Sequence, residues 1–202
     1  MNLQRTLLAA LMLSVVATSS AAVTPIDAFV GDAYEGFEGI ISPGPYSGPM
    51  PILGATGTFD EFYGDPWIAN SLYSGDGLYE VYPRTGNLMG LTPTGWTVFT
   101  FDTPVQRFGA YMAKVNDVGG GSVEFLDAEG LSIEALSFEL PVGAWAWRGW
   151  ESDQPVSSIV IHTGANPGTT AVYDDVEASY VPEPGALCLA AVGVAFMFRR
   201  RR

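Results

Sequence analysis

The sequence predicts an all-β fold, an antiparallel β-sandwich or jelly roll, and three observations predict it. Glycine and proline are abundant, 24 and 14 of 202 residues, in a chain that is 48% hydrophobic. Both punctuate turns, and so much punctuation in a hydrophobic chain favours many short strands over long helices. No long window of the body keeps apolar residues at i, i+3, i+4 and i+7, the spacing an amphipathic helix needs. Apolar and polar residues instead alternate over short runs bounded by turn residues, as half-buried strands require.

The expected strands are, in chain order, these. "EGFEGI" (35–40) and "GTFDEFYG" (57–64) read as strands, separated by the proline-rich loop "SPGPYSGPMP" (42–51), which is too punctuated for an inner strand. The aromatic density of Phe59, Phe62, Tyr63, Trp67, Tyr73, Tyr79 and Tyr82 predicts packing onto the sandwich. "WTVFTF" (96–101) ends at Asp102-Thr103-Pro104, and "VQRFGAYMA" (105–113) begins at once. "NDVGGGSVE" lacks the lysine and the strand-to-helix setting of a phosphate loop and reads as a hairpin turn. "GSVEFLD" and "LSIEALSFEL" flank the turn Ala128-Glu129-Gly130; then come "AWAWRGW", "VSSIVIHT" and "TAVYDDVEASY". In "LSIEALSFEL", Leu131, Ile133 and Ala135 share one parity and Leu136, Phe138 and Leu140 the other, so that strand should hold a bulge or bend between two sheets.

The ends differ from the body. "MNLQRTLLAALMLSVVATSSAAVTP" has Arg5, an apolar stretch from Leu7 to Ala17, and the small residues Ser20, Ala21 and Ala22 before Val23. That is the layout of a secretory signal peptide, a helix over 1–22 removed after Ala22, so the body is expected to be exported. At the other end Gly185–Phe198 is a fourteen-residue apolar run. As a helix it reaches about 21 Å against ~30 Å of hydrocarbon, short for a lasting span. Arg199, Arg200, Arg201 and Arg202 would stay on the cytoplasmic side of the inner membrane.

With the terminal arginines set aside, the body keeps Arg84, Arg107, Lys114 and Arg148 against 21 carboxylates, a charge near −17. Such a surface repels phosphate backbones, which excludes nucleic-acid partners and leaves divalent cations as candidates. The sole cysteine, Cys188, lies in the C-terminal apolar run. The body therefore has no disulfide, no thiolate nucleophile and no cysteine metal site.

Pro182-Glu183-Pro184, a short apolar helix and a closing arginine cluster together resemble the PEP-CTERM sorting segment of Gram-negative bacteria. The resemblance implies three parts: a signal peptide over 1–22, a β-sandwich over 23–181, and a sorting segment over 182–202. It also implies a transient hold in the inner membrane, cutting near Pro182–Pro184 by an exosortase-like enzyme, and delivery to the cell surface or an exopolysaccharide matrix. From Phe101 onward, the order of a strand ending in Asp-Thr-Pro-Val, a Phe-Gly-Ala strand, an aromatic-Gly strand before "SDQPVSSIVI", and a last strand with Asp-Asp-Val also resembles jelly-roll domains distantly similar to carbohydrate-binding modules.

Site candidates come from side-chain chemistry. Alternation puts Asp174 on the inward parity of Val172, Val176 and Ala178, and Asp175 on the other face with Tyr173 and Glu177. An inward carboxylate must be hydrogen-bonded or neutralised. It caps backbone amides, or, as resemblance to calcium-bearing jelly rolls implies, it holds a structural Ca²⁺ together with Glu38. In "AWAWRGW", Trp145 and Trp147 share a face and read as core or as a sugar-stacking pair. Trp150 beside Arg148 is expected to be the exposed ring, a carbohydrate contact or a cation–π pair. His162, the sole histidine, reads as structural, because no Gly-x-Ser-x-Gly elbow or histidine pair accompanies it. The expected function is that of a non-catalytic exported surface or matrix protein associated with polysaccharide. The alternatives are a secreted polysaccharide hydrolase and a purely structural, adhesive matrix protein.

Overall fold

The computed structural model describes residues 23–40, 42–70, 81–115, 120–164 and 169–181. Both expected terminal helices, the turn residues 116–119, Tyr73 and Tyr79 lie outside these. Among the described residues no helix is long and apolar enough to cross a membrane. The elements are β1 (Val23–Ile26), β2 (Ala33–Glu35), β3 (Gly44–Pro45), β4 (Met50–Ile52), a 3-10 turn (Leu53–Ala55), β5 (Gly57–Glu61), β6 (Trp67–Ala69), β7 (Met89–Thr92), β8 (Trp96–Lys114), β9 (Gly120–Leu126), β10 (Ser132–Glu139), β11 (Ala146–His162) and β12 (Ala171–Tyr180). The expected all-β antiparallel architecture is present, but "EGFEGI", expected as a strand, is not one: after Glu35 the chain leaves β2 for a turn, with Phe37 at φ 59°.

Among the described residues every pairing between these strands is antiparallel, and one hydrogen-bonded network runs β10-β9-β11-β8-β12-β7-β6-β3, with β1 on β11, β2 on β12, and β5 joining β4 to β8. The two long strands hold it together. "WTVFTF" and "VQRFGAYMA" are one strand, β8, and "AWAWRGW" and "VSSIVIHT" merge into β11, so the breaks expected at Pro104 and before Val156 are corners inside strands. Proline has no N–H to give a ladder, and there the register jumps: Glu151 faces Arg107, Val156 faces Val105, and Ser158 faces Thr100. Beyond the corner each strand changes neighbours. Thr97–Phe101 of β8 pairs with β5, whereas Val105–Lys114 pairs with β12. Likewise β11 pairs with β1 through Gly149–Ser152 and with β9 through Ser158–His162.

The corners fold the network into two halves whose inner faces meet. Phe59 and Phe99 of one half touch Tyr173 of the other at ring-centroid distances of 5.6 and 5.5 Å, and Phe99 meets Phe108 at 4.8 Å. Across the same gap Phe125 meets Trp150 at 5.7 Å. Each buried ring of this size contributes roughly 1.5–3 kcal/mol over an exposed one, so these side chains hold the sandwich shut. Strand β12 is covered on both faces: Tyr173 joins the main core, and Val172 joins a second cluster with Val81, Met89, Leu91, Ala113 and Val115.

The phase change expected in "LSIEALSFEL" is present in a different place and with a different role. The register slips between Ser132 and Glu134, a bulge at Ile133 rather than after Ala135, and β10 pairs with β9 alone. Crossing between halves is left to β8 and β11, whose length allows each to serve both.

Candidate functional site

Two constructions stand out, a carboxylate clamp on β12 and a groove between β1, β10 and the start of β11. The clamp is made by a second bulge. On β12 the register passes from Asp174 opposite Tyr111 to Glu177 opposite Gly109, one residue more than on β8, and Asp175 takes a positive φ of 48°. This departs from the expected alternation, in which Asp174 and Asp175 point to opposite faces: the bulge brings both to the 84–88 loop.

Asp174, fully buried, accepts hydrogen bonds from the amides of Arg84 (2.7 Å), Thr85 (3.1 Å) and Asp175 (2.8 Å). Asp175 accepts from the hydroxyls of Thr85 (2.7 Å) and Tyr34 (2.5 Å) and pairs with the Arg84 guanidinium, which lies 3.5 Å over the Tyr111 ring. Glu38 reaches the same loop, accepting from the amides of Asn87 and Leu88 at 2.7 Å each. Gly86, at φ +59°, leaves room for that carboxylate: a Cβ there would lie 2.3 Å from it. The two acids read together in the sequence thus pin one loop through its amides. Among the described residues, no group of three or more His, Cys, Asp or Glu gathers to hold a metal. Sequence reasoning missed Arg84, Thr85 and Tyr34, which carry no motif.

Burial pushes the Asp174 carboxyl up to about 6, against the lowering effect of its three amide bonds. For Asp175, burial acts upward too, but hydrogen bonds from Tyr34, Thr85 and Arg84 and the arginine charge together hold it below the usual range. Burial and the bond to Asp175 raise the Tyr34 hydroxyl to about 12. The two carboxyls therefore act oppositely on stability. The Asp174 contribution is present below the ordinary carboxylate value and lost as pH rises through about 6. That of Asp175 is present above the ordinary value and lost as pH falls through its lowered one. Urea midpoints at pH 4 and pH 7 should show the advantage of wild type over Asp174→Asn shrinking at the higher pH.

The groove encloses about 880 Å³, with Ile26, Phe138, Trp147, Arg148 and Trp150 among its lining residues. Trp147 is half-buried, and its indole lies across Gly109 and Gly149, which face each other in the ladder. A Cβ on either glycine would come within 2.3 or 2.6 Å of the ring, so the glycine pair makes its bed. Its N–H donates to the Ile26 carbonyl (3.2 Å), and Phe29 and Tyr111 meet it edge-on at 5.8 and 5.3 Å. Gly109→Ala should displace this indole, cost about 1–3 kcal/mol and shift the tryptophan emission, which a urea titration followed by fluorescence measures.

The expectation of an exposed Trp150 is corrected. Its ring is 3% exposed and packs between Phe125 and Phe138, because its parity on β11 is the core-facing one. Arg148 is not its cation–π partner: the guanidinium donates to the carbonyls of Glu139 and Trp147. Trp145 and Trp147 diverge, since Trp145 donates to the Tyr82 carbonyl (2.9 Å) and packs against the second apolar cluster. His162 stacks on Trp96 at 4.1 Å, and burial lowers its pKa.

The body closes at Val181, whose amide donates to the Pro104 carbonyl (3.1 Å), one residue beyond β12. Residues 181–202 match the PEP-CTERM protein-sorting motif. The PEP-CTERM segment thus begins where the sandwich ends, and Pro182, Glu183, Pro184 and Arg199–Arg202 fall within it. No curated protein matches the chain. Distant structural likenesses include the family 11 carbohydrate-binding module of a Clostridium thermocellum cellulosomal cellulase (12% identity, 76% of this chain and 97% of that one, TM-score 0.38). Another is the CBM22-1 xylan-binding domain from Paenibacillus barcinonensis (13% identity, 77% and 100%, TM-score 0.40). A third is a family 29 carbohydrate-binding module from Piromyces equi (14% identity, 79% and 93%, TM-score 0.35).

Proposed function

We propose that this chain is an exported, non-catalytic jelly-roll protein. Its PEP-CTERM segment holds it briefly in the inner membrane, an exosortase-like enzyme processes it near Pro182–Pro184, and it then associates with exopolysaccharide at the surface of a Gram-negative cell. The observation that carries the reading is the PEP-CTERM segment over 181–202. Its apolar run is too short to be a durable span, which suits a temporary hold. Replacing Pro182, Glu183 and Pro184 by alanine should leave the four arginines on the recovered protein, where intact mass of the wild-type surface fraction shows their loss. Wild-type surface protein that keeps its arginines overturns the processing step.

The polysaccharide contact belongs to the groove. Trp147 and Phe138 offer ring surface to the C–H faces of a sugar, and Asp27, Ser137 and Glu139 line the same space with groups that bond hydroxyls. In affinity electrophoresis with exopolysaccharide, Trp147→Ala should bind about tenfold more weakly, equivalent to about 1.4 kcal/mol. Release of reducing ends by the mature protein would replace this reading with the hydrolase one. A structural Ca²⁺ at Glu38 and Asp174 would share their oxygens with the loop amides. The corresponding experiment is a melt that falls with chelator and recovers with Ca²⁺.

A further inference from the structure

The groove walls come from opposite halves of the sandwich, β1 from one and β10 from the other, and a single side chain ties their ends. The Val23 nitrogen donates to Glu134 Oε2 at 2.7 Å. Glu134 is half-buried and comes directly after the β10 bulge at Ile133, the irregularity that sets its register against Phe125. Val23 is the first residue of β1, faces Ser152 in the ladder, is 5% exposed and belongs to the main core. The small residues Ser20, Ala21 and Ala22 immediately precede it.

We infer that Val23 is the first residue of the mature chain and that Glu134 is the binding site for its new α-ammonium. Leader removal hydrolyses the Ala22–Val23 amide. Water gives its oxygen to Ala22, which leaves as a carboxylate, and Val23 keeps the nitrogen, which is protonated to an ammonium at neutral pH. An amide N–H, donating once and uncharged, becomes a cation at the same 2.7 Å contact, so a one-sided charge-assisted bond becomes a pairing of opposite charges. The body's four cations gain a fifth, placed where it joins the two groove walls. Cleavage thereby completes the clasp that sets the spacing of β1 and β10, coupling export to the final form of the groove. The residues around the pair agree with this. Val23 faces the neutral Ser152 in the ladder, and the Glu151 opposite Thr24 is paired with Arg107, so the carboxylate that the Val23 nitrogen meets is Glu134.

The inference rests on the proposal that the protein is exported, and the test separates the two. The full chain is produced in an exporting Gram-negative host, and the exported protein is analysed by intact mass and N-terminal sequencing. The expected first residue is Val23. An amine-selective acylating reagent at pH 7 is then applied to wild type and to Glu134→Gln, and the α-amine of wild type should react about 5-fold more slowly, the size of a partly exposed ion pair. Should Glu134→Gln not fold, folded wild type acylated at low and at high salt gives the comparison without a variant, because salt weakens a partly exposed ion pair and leaves burial unchanged, so the amine should react faster at high salt. A start at Val23 with equal acylation rates in these comparisons overturns the clasp and leaves the exported reading standing. A start at any other residue also overturns the inference. An exported fraction with no protein, or a chain that keeps its leader, overturns both.

Discussion

Asp174→Ala is expected to destabilise the protein by about 3 kcal/mol at pH 4 and by less at pH 7, read as a lower urea midpoint with little change in slope. The carboxyl it removes accepts from three backbone amides, those of Arg84, Thr85 and Asp175, and is itself fully buried. Alanine leaves those N–H groups without their acceptor, and each buried donor left unmade costs about 1–3 kcal/mol, less where water can reach the loop. The loss spreads from there. The 84–88 loop covers the outer face of β12 together with the cluster of Val81, Met89, Leu91 and Val172, so releasing it also loosens apolar contacts. Asp175→Asn should cost less, because Tyr34 and Thr85 can still donate to the amide oxygen and only the Arg84 ion pair, at a partly exposed guanidinium, is given up. An Asp174→Ala protein as stable as wild type would mean that the clamp holds nothing.

Trp150→Ala should cost more, about 3–5 kcal/mol, the range for deleting a large buried aromatic side chain. Its ring lies between Phe125 and Phe138, bridging β11 to β9 and β10, so the cavity left behind opens the interior directly beneath the groove. Equilibrium urea unfolding measures the loss, and Trp150→Phe, which keeps a ring, should recover a good part of it. Trp147→Ala, three residues away, provides the contrast: a smaller loss of stability and a larger loss of polysaccharide retention. If instead Trp150→Ala folds normally and fails to bind, the ring serves ligand and not core.

These two residues also mark where sequence reasoning succeeds and where it stops. The acid at position 174 was recognisable as costly from alternation alone, since Val172, Val176 and Ala178 share its parity. Capping of backbone amides was one of the two roles open to it, and its hydrogen bonds go to amides. Two of its three donors, however, lie some ninety residues earlier in "PRTGN", a stretch with no motif, and the bulge that swings Asp175 onto the same loop leaves no mark in the pattern of apolar residues. For Trp150 the failure was one of neighbourhood. An arginine two positions away on the same parity suggested an exposed ring, but Arg148 turns to the Glu139 and Trp147 carbonyls at the rim while Trp150 drops into the core. Trp147, which holds the groove position, is set by a cross-strand pair of glycines whose partnership exists only once the register of β8 and β11 is set.

By itself, the order of residues determined the all-β class, most of the runs that become strands, and the sorting segment, read over 182–202 and matched over 181–202, because strand alternation, turn punctuation and a contiguous motif are local properties that neighbouring residues express together. Tertiary structure alone decided that the prolines at 104 and 155 mark corners rather than ends, that two bulges aim Glu134 and Asp175, and which of the groove's tryptophans keeps a partly exposed ring. Those outcomes depend on pairing between segments tens of residues apart. A one-residue slip in such a pairing reverses the face of every side chain beyond it, and nothing in a single strand's own sequence records where its partner will slip.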